Sequence, residues 1–196
     1  MHDGGVGRLL VASLHQSIAE ELPSRLEFYE AWLNPAGLRD GRIGLAPLGA
    51  VLSFLRQESG DPYLRVAARA GEYSAQWLVD AMSPLQRRVL LMLPRGLRLW
   101  LVMRLARRLV RQTYGGSRAI IRGATRGQGH IDLRGSVFCQ VRDRVPHPLC
   151  EYYAAALRHL LHRFELPHGA QAKECRAAGA ARCLIALLAS DGQAEA

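Results

Sequence analysis

Several common features are absent from this sequence of 196 residues. Lys173 is its single lysine, so arginine supplies almost all of the positive charge. No run of about 18 uncharged apolar residues occurs, so we predict no transmembrane helix. The opening His2-Asp3-Gly4-Gly5 is neither basic nor followed by an uninterrupted apolar region, and we expect no signal peptide and a cytoplasmic location.

The motifs of several functional classes are missing as well. The sequence has no GxxxxGK[S/T] phosphate loop and no GxGxxG after a predicted strand. The spacing of Ser117, His130 and Asp132 does not support a catalytic triad. No helix-turn-helix, zinc-finger or ribonucleoprotein motif is present, so we expect no nucleic-acid partner. These absences favour a protein that is not an enzyme.

The composition is that of a globular chain with a substantial core. Hydrophobic residues make up 49% of it, and the formal charge is +9 with an isoelectric point of about 10.1. A charge of this size favours an anionic partner, although it also serves solubility alone. Four cysteines in a cytoplasmic chain argue against a disulfide scaffold and leave metal ligation, redox chemistry or simple burial.

Hydrophobic periodicity predicts helices in the first half and strands in the second. The predicted helices cover 7–21, 26–33, 45–57, 62–82, a segment from 84 to about 93, and a basic segment to about 114. Strands are predicted over 117–124 and 130–140, a helix over 149–164, and a hairpin over 171–177 and 182–189. This order predicts an α+β fold in which a helical N-terminal half packs on a small antiparallel sheet.

Two cysteines flank the turn of the C-terminal hairpin. A turn centred on Gly179 would place Cys175 opposite Cys183, with Cβ atoms roughly 4.5–5.5 Å apart. Cys150 lies at the first turn of the preceding helix, where the helix dipole favours a thiolate. Cys139, late in the second predicted strand, would supply a fourth sulfur. The pattern leaves three interpretations open: buried structural thiols, a metal site, or redox or covalent chemistry.

The same C-terminal region resembles the 4-vinyl reductase domain family. The resemblance is carried by Cys150-Glu151-Tyr152-Tyr153, by the hairpin segment from Glu174 to Gly179, and by Cys183. It implies a fold related to the small TRAPP trafficking subunits, and a pocket for small hydrophobic molecules. The resemblance also implies a ligand-binding domain over 45–190, preceded by an N-terminal helical extension over 1–44. Sensor members hold a structural zinc with three cysteines and one glutamate, so the resemblance implies zinc at Cys150, Cys175 and Cys183. The glutamate position corresponds to Ala172 here, which leaves the fourth ligand to another residue.

A strongly basic helix precedes the predicted strands. Arg104, Arg107, Arg108 and Arg111 share one face, at spacings i, i+3, i+4 and i+7. The opposite face is apolar and consists of Leu99, Val102, Met103, Ala106 and Val110, bordered by Trp100 and Leu101. Such a helix packs on the sheet with its charges in solvent, or lies on an anionic membrane or another partner.

Three functions are consistent with these features. The first is non-enzymatic binding of a small hydrophobic or aromatic molecule, as a sensor, carrier or accessory protein, with a homodimer as the expected assembly. The aromatic residues predicted to line the pocket are Trp77, Phe138, Tyr152 and Tyr153, with plain core packing as the alternative for each. The second is an enzyme or accessory factor in tetrapyrrole or other hydrophobic-metabolite synthesis. The third is a TRAPP-like, membrane-peripheral adaptor that uses the basic helix.

Overall fold

The computed structural model describes residues 5–33, 44–123, 129–141 and 144–189. Within these ranges the chain forms seven α-helices and a four-stranded antiparallel sheet, which confirms the predicted α+β class. The helices are α1 Arg8–Glu21, α2 Leu26–Leu33, α3 Leu45–Gln57, α4 Pro62–Asp80, α5 Pro84–Met92, α6 Arg95–Thr113 and α7 Glu151–Arg163. The strands are β1 Arg118–Arg122, β2 His130–Arg134, β3 His168–Glu174 and β4 Cys183–Ala189.

The sheet has the strand order β1-β2-β4-β3, and every neighbouring pair is antiparallel. In the central strands Leu133 of β2 pairs with Cys183 of β4, so the end of β2 lies beside the start of β4. The hairpin of β3 and β4 pairs Glu174 with Leu184. Cys175 follows β3 directly and Cys183 begins β4, so the two cysteines flank the turn of this hairpin.

Local sequence signals explain where most helices begin. Pro62 and Pro84 occupy the first helical turns of α4 and α5, where a missing backbone N–H costs nothing. Ser83 caps α5, because its hydroxyl accepts from the Gln86 backbone N–H at 3.2 Å. The Gln86 side chain accepts from the Ser83 backbone N–H in return, which completes a capping box. Pro94 separates α5 from α6, since it has no amide hydrogen to continue the helix.

The second strand is shorter than the sequence predicts. It ends at Arg134 rather than at Gln140, because Gly135 adopts a positive φ of 67° and turns the chain out of the sheet. A short 3-10 turn, Val137–Cys139, follows. Cys139 therefore lies on this turn and not on the strand. Residues 34–43 and 124–128, which include the last residue of the first predicted strand, lie outside the described residues.

Helix α7 is at the centre of the molecule. Its consecutive residues from Tyr152 to Leu157 are buried, because α4 and α6 cover one side and the sheet covers the other. The contact with α4 is close at Gly71, where any Cβ atom would overlap the Tyr152 carbonyl oxygen. The N-terminal helix α1 packs on α4 and contributes the fully buried Leu10 and Leu14 to the same core. No helix in the described ranges is long and apolar enough to span a bilayer.

Candidate metal centre and interior cavity

The four cysteines come from four different places in the chain. Cys139 ends the 3-10 turn after β2, Cys150 precedes α7, Cys175 follows β3, and Cys183 begins β4. Their sulfur atoms all lie within 4.8 Å of one another. The structure therefore brings together every cysteine that the sequence proposes as a ligand, including Cys139 as the fourth.

Cys139 lies closest to the other sulfurs. Its Sγ is 3.0 Å from that of Cys150 and 3.3 Å from those of both Cys175 and Cys183. The distance from Cys150 to Cys175 is 3.9 Å. All four thiols are free, and these separations exceed the roughly 2.05 Å of a disulfide bond. In a tetrahedron with metal–sulfur bonds of about 2.3 Å, neighbouring sulfurs are about 3.8 Å apart, close to the observed range.

The surrounding groups hold the cluster in place. The backbone N–H of Leu149 donates to Cys175 Sγ at 3.4 Å, and that of Arg176 donates to Cys183 Sγ at 3.3 Å. The hydroxyl of Tyr63, on α4, donates to the Leu149 carbonyl oxygen at 3.0 Å and so fixes the segment before Cys150. The sequence does not predict this role of Tyr63, because no local pattern links α4 to Leu149, which lies 86 residues later in the chain.

Hydrogen bonding divides the four thiols electrostatically. Contacts among the thiols lower the pKa of Cys175 and that of Cys183, and for both groups the contact with Cys139 is the largest cause. The contact with Cys139 in turn raises the pKa of Cys150, and burial adds to this rise. The cluster therefore favours thiolates at the hairpin, and backbone N–H donors stabilise that charge. Cys150, Cys175 and Cys183 are buried, while Cys139 is half-buried and gives access from solvent.

Glu174 is not part of the cluster. Its carboxylate accepts from the Arg182 guanidinium at 2.9 Å on the opposite face of the hairpin. Ala172 is buried and offers no ligand atom. In the part of the chain that the structure describes, this site consists of four sulfurs and no oxygen or nitrogen ligand. The four cysteines are thus close enough together to hold one metal ion, and a closed tetrahedral sulfur set is typical of structural rather than catalytic sites.

Three of the four predicted pocket aromatics form a buried group beside this site. Phe138 stacks on Tyr152 with ring centres 4.9 Å apart, and Tyr153 meets both rings edge-on. The Tyr152 hydroxyl donates to the Ser74 hydroxyl at 2.7 Å. Trp77 lies elsewhere, stacked on Tyr73 on the outer side of α4 and bordering a surface groove near Arg108.

An apolar cavity lies between the sheet and the helices. Its free volume is about 10 Å³, roughly what one water molecule needs. Residues from α6, β2, β4 and α7 line it: Ala106, Leu109, Val110, Ile131, Leu133, Ile185, Tyr153, Ala156 and Leu157. The Tyr153 hydroxyl is buried and lacks a hydrogen-bond partner among the described residues. The neighbouring Ser117 hydroxyl donates instead to the Gly135 carbonyl oxygen at 2.8 Å.

The cavity lining could have been anticipated only in part. The apolar face of α6, with Val102, Ala106 and Val110, is buried as the sequence predicts. The arginines of the opposite face, Arg104, Arg107, Arg108 and Arg111, are exposed. Which strands meet that apolar face depends on the β2–β4 pairing, and no local pattern encodes it.

Comparison with known proteins gives little direct guidance. No family model matches the chain, and no curated protein is significantly similar to it. A solved structure to which the chain is similar is the phenol-responsive sensory domain of the transcription activator PoxR, determined with phenol. The TM-score is 0.48 at 15% sequence identity, and the match covers 74% of each chain.

Proposed function

We propose that the chain is a non-enzymatic domain that binds a small hydrophobic or aromatic molecule, and that a zinc ion braces its fold. The observation that carries the zinc proposal is the convergence of four cysteine sulfurs within 4.8 Å. Two observations support a ligand site: Tyr153 is one of the residues that line an apolar cavity, and its buried hydroxyl has no hydrogen-bond partner within the described ranges. The resemblance of the cysteine region to the 4-vinyl reductase domain family implies both a zinc site and a small-molecule pocket.

Zinc is the metal that this ligand set suits best. Tetrahedral sites with four thiolates hold zinc or iron–sulfur groups. Two sulfurs bound to one zinc ion can be at most about 4.6 Å apart, twice the bond length. The four sulfurs lie within 4.8 Å, which matches one ion better than a cluster of several irons. A bound zinc would join the turn after β2, the start of α7 and both strands of the hairpin.

Four bonds to one ion would link segments far apart in the chain. Cys139 and Cys183 are separated by 44 residues. Because such a site does not exist in the unfolded chain, the free energy of zinc binding would add to the stability of the folded state. Each ligand must lose its proton to bind, and the N–H donors of Leu149 and Arg176 stabilise the resulting charge. The zinc would be structural, since all four coordination positions are filled by protein.

The cavity has the chemistry of a small-molecule site. Such sites combine an apolar lining with a few polar groups that fix the orientation of the ligand. A buried hydroxyl without a partner costs about 1–3 kcal/mol, and a ligand with a hydrogen-bonding atom would recover that energy. Because the free volume is about 10 Å³, binding of an aromatic ring requires α6 and the sheet to separate.

Two aromatic probes test the ligand proposal. Phenol has a hydroxyl that can pair with Tyr153, whereas toluene has the same ring without it. We expect calorimetry to detect phenol binding that is tighter than toluene binding, and Tyr153→Phe to abolish the difference. Tyr114→Phe, a half-buried tyrosine outside the cavity, is the matched control. Equal affinity of the wild-type chain for both probes, or no binding of either, would contradict the proposal.

The alternative of a tetrapyrrole-pathway enzyme or accessory factor makes a different prediction. A tetrapyrrole absorbs visible light, so protein purified with such a ligand would be coloured. The homodimer and the cytoplasmic location also remain predictions. Light scattering of the purified chain measures the first directly.

A further inference from the structure

The positive charge of the chain is concentrated in one segment. No aspartate or glutamate occurs between Asp80 and Asp132, and eleven arginines lie in that interval. The rest of the chain has 15 basic and 17 acidic residues and is therefore nearly balanced. Because α5 and α6 lie within this segment, the surface that they form has no negative side chain of its own.

Helix α5 turns an apolar stripe toward solvent. Leu85, Val89 and Met92 are spaced four and three residues apart and so share one helix face. Their exposed fractions are 71%, 49% and 76%, whereas Leu90 on the opposite side is buried. Single exposed apolar residues are common on protein surfaces, but an aligned stripe of three on one helix indicates an interaction site.

Helix α6 continues this surface. Leu97 and Trp100 are exposed near its start, and Arg104 places its guanidinium 4.5 Å from the centre of the Trp100 ring. Between α5 and α6 lies a groove of about 600 Å³ that Leu85 and Val89 share with Arg108 and Arg111. We call the outward faces of the two helices the α5–α6 surface; it consists of Leu85, Arg88, Val89, Met92, Leu97, Trp100, Arg104, Arg107, Arg108 and Arg111.

The arginines of this surface are not neutralised. In the described ranges, the ion pairs of α5 and α6 are Arg87 with Asp80 and Arg98 with Glu165. None joins an acidic group to Arg88 or to the four arginines of the α6 cationic face. Their charge is thus available to an anionic partner.

We propose that the α5–α6 surface docks on an anionic lipid membrane. Interfacial helices combine an apolar stripe, which enters the boundary between headgroups and acyl chains, with arginines that contact anionic headgroups and a tryptophan at the border. Leu85, Val89 and Met92 supply the stripe, and Arg104, Arg108 and Arg111 supply the charge. A symmetric dimer through the same surface would place these arginines against their own copies, which like-charge repulsion opposes.

Vesicle sedimentation of the full chain tests this proposal. We expect binding to phosphatidylcholine vesicles that contain phosphatidylglycerol, no binding to phosphatidylcholine alone, and weaker binding as salt is raised. Each basic residue near an anionic surface contributes about fivefold to binding, so Arg104→Gln/Arg108→Gln/Arg111→Gln should lower the partition coefficient about a hundredfold. Leu85→Ser/Met92→Ser should also weaken binding while leaving its salt dependence in place.

The control removes the same charge from other surfaces. Arg25, Arg65 and Arg182 are exposed on other elements, and their triple change to glutamine should keep most of the vesicle binding. Equal losses in the two triple variants would overturn the proposal, because net charge alone would then explain binding. A dimer in light scattering that Leu85→Ser/Met92→Ser dissociates, without any vesicle binding, would also overturn it. The result of the vesicle assay does not depend on whether the chain binds zinc or phenol.

Discussion

The Sγ atoms of Cys139 and Cys150 lie 3.0 Å apart, although one ends a turn after β2 and the other precedes α7. The intervening segment is tied to the hairpin, since the Val145 backbone N–H donates to the Ala177 carbonyl oxygen at 2.9 Å. This backbone hydrogen bond holds the segment between the two cysteines against the hairpin that carries Cys175 and Cys183. An arrangement of this kind fits a metal ion better than it fits four independently packed thiols.

Replacement of the fourth sulfur tests the ligand set. Cys139→Ser should lower zinc affinity at least about a hundredfold, because loss of even an outer partner of a metal ligand costs 10–100-fold. A competition titration with a coloured chelator measures the change. The control is Glu174→Gln, which alters a side chain next to Cys175 that points away from the cluster. Wild-type affinity in Cys139→Ser would show that this sulfur is not a ligand.

Removal of the metal should loosen one part of the molecule more than the rest. Chelation is expected to lower the melting temperature, because a bound ion stabilises the folded state by mass action. Hydrogen exchange should rise most in 144–150 and 175–183, which the cluster joins. The buried helices α1 and α4 should change little. Uniform exchange across the chain after chelation would contradict a local brace.

The buried tyrosines predict alkaline instability. Burial raises the pKa of Tyr153 well above its usual value of about 10. The unfolded chain ionises at that lower value and the folded chain does not, so stability is full below about pH 10 and falls as the pH rises further. In Tyr153→Phe the free energy of unfolding should therefore fall less steeply with pH, by up to about 1.4 kcal/mol per pH unit. Urea unfolding between pH 9 and 11 measures it, and unchanged slopes would refute the assignment.

Two helical glycines should respond in opposite ways to alanine. Gly71→Ala places a methyl group against the Tyr152 carbonyl oxygen and should destabilise the α4–α7 contact by about 1–3 kcal/mol or more. Gly49, on α3, has no atom within 4 Å of the added methyl, so Gly49→Ala should stabilise by about 0.5–1 kcal/mol. Thermal unfolding of the two variants compares them. A stabilised Gly71→Ala chain would mean that the helices are not in close contact.

Local sequence patterns predict much of this fold because they act within one element. The α2 and α3 boundaries follow from apolar periodicity, and Pro62, Pro84 and Pro94 set where helices start. The positions of Cys175 and Cys183 on either side of the hairpin turn also follow from the local sequence. The early end of β2 does not, because it depends on a positive φ at Gly135 that no neighbouring pattern specifies.

Tertiary contacts account for what the sequence misses. Trp77 shares apolar character with Phe138 and Tyr152, but its position on the outer side of α4 separates it from them. Leu85, Val89 and Met92 have the spacing of a core-facing stripe, yet all three are exposed, whereas Leu90 on the same helix is buried. Periodicity predicts that a face is apolar, but only packing determines whether another element covers it.

The most direct test of the metal-braced fold is the metal content and coordination of the freshly purified chain. Elemental mass spectrometry together with X-ray absorption at the zinc edge measures both. The expected result is one zinc per chain surrounded by four sulfur atoms at about 2.3 Å. A folded chain without metal, in which all four thiols react with a thiol reagent under native conditions, would contradict it.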